Sequence, residues 1–127
     1  MSLYNFTTVV SQDHFFKFLA LISSLNTCCN NFKLFVLCAH DIVWHILNPI
    51  NIPNVLLSEV EDEALLKAKA ERHFHAYCWT LKPVFLHHIM ESNKDCRYYA
   101  HLDADLFFFN NPDNIFVENT DASLFLT

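Results

Sequence analysis

Two aspartates, Asp103 and Asp105, lie one residue apart inside the apolar segment YYAHLDADLFFFNNPD, residues 98–113. On an extended strand, residues i and i+2 point to the same face, about 7 Å apart. If the strand bends after Asp103, the two carboxylates converge on one site. Oxygen donors of this kind suit Mg²⁺ or Mn²⁺, and such a cation also grips a diphosphate. The surroundings make the pair costly, because a buried carboxylate without a partner costs several kcal/mol or gives up its charge. A bound cation would remove that cost and the mutual repulsion. The plainer reading is two solvated aspartates at a strand end, one of them capping a turn. Motifs this short also arise by accident.

Other chemistry is sparser. The chain has eight histidines, including His73 and His75, His87 and His88, and His101, but no spacing matches a zinc module. They read as surface and helix-end positions, with His101 a strand residue beside the aspartates. Five cysteines show no C-x-x-C pair and no even disulfide framework, so they read as reduced, mostly buried thiols. The absence of any glycine excludes a Walker A loop and a G-x-G-x-x-G fingerprint, both of which need it for close phosphate approach. A phosphate-bearing ligand must therefore be held another way, and a carboxylate-bound metal is the obvious one.

The 127 residues suffice for one domain with a real core; they are 53% hydrophobic and 17% charged. A net charge of −6 argues against a nucleic-acid partner, which would call for basic stripes. No Lys or Arg follows Arg97, while Asp103, Asp105, Asp113, Glu118 and Asp121 do. An anionic ligand at that end must bring a cation with it. No apolar run reaches the ~20 residues of a transmembrane segment. MSLYNFTTVV lacks the basic region and cleavage site of a secretory signal, so a cytoplasmic location is expected.

The elements that must position the aspartates follow from periodicity. NFTTVVS, 5–11, reads as a strand. A helix follows, capped by Ser11 or Asp13, with Phe15, Phe18, Leu19, Ile22 and Leu25 on its apolar face. FKLFVLCA, 32–39, is a strand apolar on both faces, as in a parallel sheet covered by helices. A short helix from Asp41 stops at Pro49, and NVLLSE gives a third strand. Ser58 and Glu61 form a capping box for the next helix, with Glu63 and Lys67 as an i,i+4 pair. Phe74, Tyr77, Cys78, Leu81, Phe85 and His88 or Ile89 mark a helix in which Pro83 imposes a kink or a break. Trp79, at helical spacing, reads as core. CRYYAHLDAD is the fourth strand, LFFF continues extended, NNPDN is a turn, IFVEN is a helical turn or loop, and ASLFLT is a last strand. This order defines an α/β fold with a mostly parallel sheet and helices on both faces. Ligands of such sheets bind beyond the carboxyl ends of the strands, near the switch in strand order, where Asp103 and Asp105 fall.

YYAHLDADLFFFNNPDNIF resembles the D-x-D segment of GT-A-fold glycosyltransferases, the nucleotide-diphospho-sugar transferases that include glycosyltransferase family 8. The pattern is an apolar strand, leucine, Asp-x-Asp, an apolar extension, then a polar-Pro turn with an Ile/Leu-Phe pair. VVSQDHFFKFLALISSL resembles the family's first strand and helix, where the loop meets the nucleotide base. KAKAERHFHAYCWTLKP resembles the helical segment before the motif. The resemblance implies a Rossmann-like, sugar-nucleotide-binding domain over residues 1–127, without the acceptor half that longer family members carry.

The resemblance also implies roles. The first aspartate contacts ribose or sugar and the second binds the cation that neutralises the diphosphate: Asp103 takes the first role and Asp105 the second, both are metal candidates, and Ala104 between them belongs to the nucleotide-sugar set. Ser11, Gln12 and His14 match the nucleotide loop, although Ser11 stands where the family often has an acid. Arg72 matches a basic position that reaches phosphate or sugar, or else it pairs with Glu71 on the helix surface. Trp79, Thr80 and Lys82 are weaker candidates. The expected chemistry is transfer of a glycosyl group from a nucleotide-diphospho-sugar (a UDP-sugar favoured) to an acceptor hydroxyl, assisted by Mn²⁺ or Mg²⁺. A haloacid-dehalogenase-type phosphatase fits less well, since its D-x-D lies on the first strand and Phe107 stands where it has Thr or Val. The alternative from another class is a non-catalytic domain acting by self-association or partner binding. Exposed apolar surface makes a homo-oligomer an expectation of either reading.

Overall fold

β-Branched and aromatic residues build the first strand, β1 (Tyr4–Val10), and its side chains divide between two faces. Tyr4, Phe6 and Val10 enter one apolar cluster, and Val9 packs on a second across the sheet. In β2 (Phe32–Cys38), Leu34, Val36 and Cys38 join the first cluster, and Phe35 and Leu37 join the second. Covering on both faces explains why these strands read as nearly continuous apolar runs.

The computed structural model describes residues 3–117. After β1 come a 3₁₀ turn (Gln12–His14), α1 (Phe15–Cys28), β2, α2 (Asp41–Leu47) and β3 (Asn54–Leu56). Then follow α3 (Glu63–Glu71), α4 (Phe74–Ser92), β4 (Tyr98–His101) and α5 (Asp113–Val117). The four strands form one sheet in the order β3-β2-β1-β4, with every pairing parallel. Helices α1 and α2 cover one face through Phe18, Leu21, Leu25, Val43 and Leu47. Helices α3 and α4 cover the other through Leu65, Tyr77, Leu81, Phe85 and Ile89. This is the expected α/β fold, Rossmann-like, with all described strands parallel. The strand expected at ASLFLT lies outside the described residues. Among the described residues, no helix is long and apolar enough to cross a membrane.

Local readings shift in several places: β3 and β4 are shorter than the expected strands, ending at Leu56 and His101, so that both aspartates lie beyond β4, and the helices differ as well. On α1, Leu21 and Ser24 are buried while Leu19 points outward, so the buried stripe is rotated from the expected one. The N-cap of α1 is His14 rather than Ser11 or Asp13, because the 3₁₀ turn intervenes. Helix α3 starts later than expected: Asp62 caps it by accepting from the Leu65 N–H at 2.8 Å, and Ser58 lies in a separate 3₁₀ turn. Glu61, freed from capping, accepts from the Tyr77 hydroxyl and pairs with Lys69 at 3.1 Å, tying α3 to α4. Finally, α4 runs uninterrupted through Pro83, although proline offers no N–H to the Trp79 carbonyl one turn back.

The central contact of α4 with the sheet supplies a test. Phe85 is fully buried, so Phe85→Ala should lower the unfolding free energy by about 3–5 kcal/mol in urea titrations. Phe16, which is 83% exposed on α1, should tolerate the same change within about 0.5 kcal/mol. Equal effects of the two substitutions would contradict this packing.

Candidate functional site

The two strands that flank the switch in strand order deliver the site. β2 pairs with one side of β1 and β4 with the other, so a crevice opens at the carboxyl ends of β1 and β4. The Leu102 N–H extends the ladder by donating to the Thr7 carbonyl at 2.8 Å. The chain then turns, closed by the Leu106 N–H donating to the Asp103 carbonyl at 3.1 Å. Leu102 and Ala104 are buried in the α1/α2 cluster, and this leaves Asp103 and Asp105 exposed on the opposite side of the turn. The alternation of a strand is thus carried into the bend.

Downstream, the segment is pinned at one residue. The Phe108 N–H donates to Ser24 Oγ at 2.9 Å, and its carbonyl accepts from Cys28 Sγ at 3.3 Å. Both partners lie on α1. Phe108 therefore packs inward while Phe107 and Phe109 stay exposed, their rings 5.0 Å apart. Ser24 is buried because its hydroxyl is occupied twice, donating also to the Leu21 carbonyl at 2.8 Å.

Asp103, Ala104 and Asp105 form one wall of a cleft of about 220 Å³. Val9 of β1 and Ser11 and His14 of the β1–α1 connection form a second wall, and Ser11 Oγ lies 3.0 Å from His14 Nδ1. His75, Cys78, Trp79 and Lys82 of α4 form the third, with His101 alongside. Lys82 Nζ donates to Asp103 Oδ1 at 2.6 Å, so the first aspartate has a protein cation beside it. Both groups are partly exposed, which limits a pair of this kind to about 1 kcal/mol at most. Asp105 is exposed.

His101 sits deeper. Its Nδ1 lies 3.0 Å from Thr7 Oγ1 on the neighbouring strand, and Thr7 is buried. Nε2 is buried with no hydrogen-bond partner among the described residues, 3.9 Å from Asp103 Oδ1. Burial pulls the imidazole pKa from 6.5 down to about 4, with nearby Lys82 pushing the same way and Asp103 opposing. His101 is therefore neutral near neutral pH, and its approach to Asp103 is a contact rather than an ion pair. Cys78 is also kept in its neutral form, since burial raises its pKa despite the opposing influence of Lys82. It is poorly suited to be a nucleophile.

Of the residues expected from sequence, Ser11, His14, Asp103, Ala104 and Asp105 come together. Gln12 and Arg72 do not line the cleft. The Gln12 N–H donates to His40 Nδ1 at 2.9 Å, and Arg72 donates to the Thr80 hydroxyl on α4. Trp79, read as core, is 66% exposed and faces the cleft, because the buried stripe of α4 runs through Tyr77, Leu81 and Phe85 instead. His75 and Cys78 were not anticipated. Their signal was a second stripe at helical spacing, through positions 75, 78–79 and 82. A larger depression of 440 Å³ lies beside the edge strand β3, lined by Trp44, Asn48, Asn51 and Glu59 among others. It lies away from the switch point, and the Glu59 carboxylate already accepts from the Leu56 N–H at 2.7 Å. The smaller cleft concentrates the ionisable side chains and is the stronger candidate.

The fold and the position of the cleft define a Rossmann-like α/β domain with a crevice at its switch point. No family model matches the chain. It is similar to uncharacterized protein YfnD of Bacillus subtilis (strain 168), 48% identical over 130 residues, which cover all of this chain and 42% of that protein. Uncharacterized protein YfnF of the same organism is 33% identical over 125 residues, covering 96% of this chain and 41% of that protein. The chain thus spans about two fifths of the length of the curated relatives it matches.

The His101 geometry predicts a pH dependence of stability. The unfolded chain takes up a proton near 6.5, whereas the folded one refuses it until about 4. The associated stability is fully present above 6.5 and is lost as the pH falls from there toward 4. Measured in EDTA, the wild type should lose about 2 kcal/mol more than His101→Gln between about pH 7 and about pH 5. Parallel stability curves for the two proteins would show that His101 is not held neutral by burial.

Proposed function

We propose that this chain is the donor-binding part of a GT-A-type glycosyltransferase, taking a nucleotide-diphospho-sugar, a UDP-sugar by preference. One observation carries the reading: two exposed carboxylates on the turn that ends β4 open into a cleft at the switch point of a parallel sheet. The resemblance of residues 98–116 to a D-x-D segment supports it.

The donor set was weighed against a divalent cation. Among the described residues, no group of three or more His, Cys, Asp or Glu side chains is arranged to hold a metal ion. Mg²⁺ and Mn²⁺ sites of phosphate-transfer type do not need one, because one or two carboxylates suffice when water and substrate phosphate complete the shell. Asp103 and Asp105 fit that description, and they would hold the ion. When bound, the cation supplies Lewis acidity to the departing nucleoside diphosphate.

The chain's own residues then divide the remaining work. Trp79 offers an exposed ring face to a sugar or base. His101 Nε2 offers a hydrogen-bonding atom inside the cleft, held in place by Thr7. Ser11 and His14 present polar atoms on the side where the resemblance sets the base. The cleft is smaller than the ~300–1,000 Å³ usual for whole ligands, so the diphosphate and sugar belong inside it and the nucleoside along its rim. A cytoplasmic location belongs to the same reading and is supported by Cys28, Cys29, Cys38 and Cys78, which are free thiols.

A second reading has its own support. Phe109 is 82% exposed and Phe107 and Leu106 are also open to solvent, directly after the aspartates. That surface favours a domain that works by self-association or partner binding, without transfer chemistry.

Calorimetric titration of UDP and GDP, with and without Mn²⁺, separates the two. Binding is expected to need Mn²⁺ and to weaken at least about tenfold in Asp105→Ala. Absence of binding in every condition, or binding indifferent to both Mn²⁺ and Asp105, would sink the donor-site reading.

A further inference from the structure

The ion pair at the cleft wall has a consequence for how the site would load. Lys82 Nζ rests 2.6 Å from Asp103 Oδ1, on the same carboxylate that a divalent cation would engage. An ammonium and a metal ion on one carboxylate repel each other, so the arrival of the metal loosens the hold of Lys82. Lys82 can leave: it is partly exposed, and a lysine ammonium rides on a flexible four-carbon stem. It also has little choice of destination within the cleft, since Asp105 is the other acidic group lining it.

Charge decides the rest. Lys82, Asp103 and Asp105 together carry one net negative charge. A divalent cation arriving alone turns the cluster positive and displaces Lys82 from its partner. A diphosphate arriving alone adds anionic charge beside two carboxylates. Arriving together, the two ligands cancel most of each other's charge, and the diphosphate gives the displaced ammonium a new partner. Resting on the donor-site reading above, we infer that Lys82 is an exchangeable counterion: it holds Asp103 in the empty site and passes to the diphosphate in the loaded one. Metal and nucleotide consequently bind with positive coupling, each tightening the other by the same factor.

The test uses Mn²⁺ alone, UDP in EDTA, and UDP with Mn²⁺, titrated into the wild type, Lys82→Met, Lys82→Arg and Asp105→Ala. Methionine keeps most of the stem and removes the charge, and circular dichroism checks that each variant is folded. Lys82→Met should bind Mn²⁺ alone about threefold tighter, the reach of a partly exposed ion pair. It should bind UDP in the presence of Mn²⁺ about tenfold more weakly, and the factor by which UDP tightens Mn²⁺ binding should fall toward one. Lys82→Arg should keep the coupling. Unchanged or weaker Mn²⁺ binding in folded Lys82→Met, with Mn²⁺-dependent UDP binding intact, would overturn the exchange and spare the donor site. Failure of the wild type to bind Mn²⁺ or UDP in any combination would overturn both.

Discussion

Everything at the cleft depends on β1 being paired on both sides. Its Tyr4–Val10 backbone is in register with Phe32–Cys38 on one side, and Tyr4–Thr7 with Tyr98–His101 on the other. The chain builds outward to β3 first and then returns through α3 and α4 to the opposite edge. That return creates the crevice, since the helix after β1 and the helices that lead into β4 lie on different faces. β4 covers less than the full length of β1, so the chain after His101 is free to bend just where β1 is ending.

The bend is held by inward packing and by backbone hydrogen bonds. Leu102 and Ala104 pack inward, and the Phe108 backbone is fixed between Ser24 and Cys28 of α1. Further along, the Tyr4 hydroxyl donates to Asp113, while Phe116 packs against Tyr4 and Tyr98. Burial and the anionic partner raise the Tyr4 pKa, so the phenol keeps the proton it donates. The aspartates are thus suspended between anchors on α1, β1 and α5. A carboxylate pair placed this way avoids burial, which answers how an apolar segment tolerates it: the apolar neighbours turn inward and the carboxylates do not.

The fold was legible because its signals are collective. Long apolar runs over 32–39, helical stripes over 15–25 and 74–89, and turn residues at 110–114 each constrain several residues at once. The start of α3 was misread because Ser58 and Glu61 satisfy a capping pattern as well as Asp62 does, and only the tertiary demand for Glu61 beside Tyr77 separates them. At the site, Asp103 and Asp105 stood out by chemistry and order. Lys82 and Trp79 were seen only weakly, and His75 and Cys78 not at all, because a cleft wall on a helix looks like ordinary surface or core until the facing turn is known. Arg72 was the reverse case. A basic residue near the motif looked suited to a ligand, but it lies outside the cleft lining and donates to Thr80 on α4.

The absence of glycine shapes how this cleft can treat an anion. Among the described residues Asn51, before the far edge strand β3, is the one at positive φ, so the β1–α1 connection is built from ordinary right-handed and extended conformations. Two of its amides are committed: the His14 N–H donates to the Ser11 carbonyl and the Gln12 N–H to His40. A glycine-rich loop in this position would turn such amides toward a phosphate. Here those two face the protein, which leaves the side chains more of the work of meeting an anion. Lys82 is the lysine or arginine among the residues lining the cleft, and it is already drawn toward Asp103. An anionic ligand must either take that ammonium from the carboxylate or bring a cation of its own. The charge balance of three side chains, rather than the shape of a loop, therefore governs what this crevice can hold.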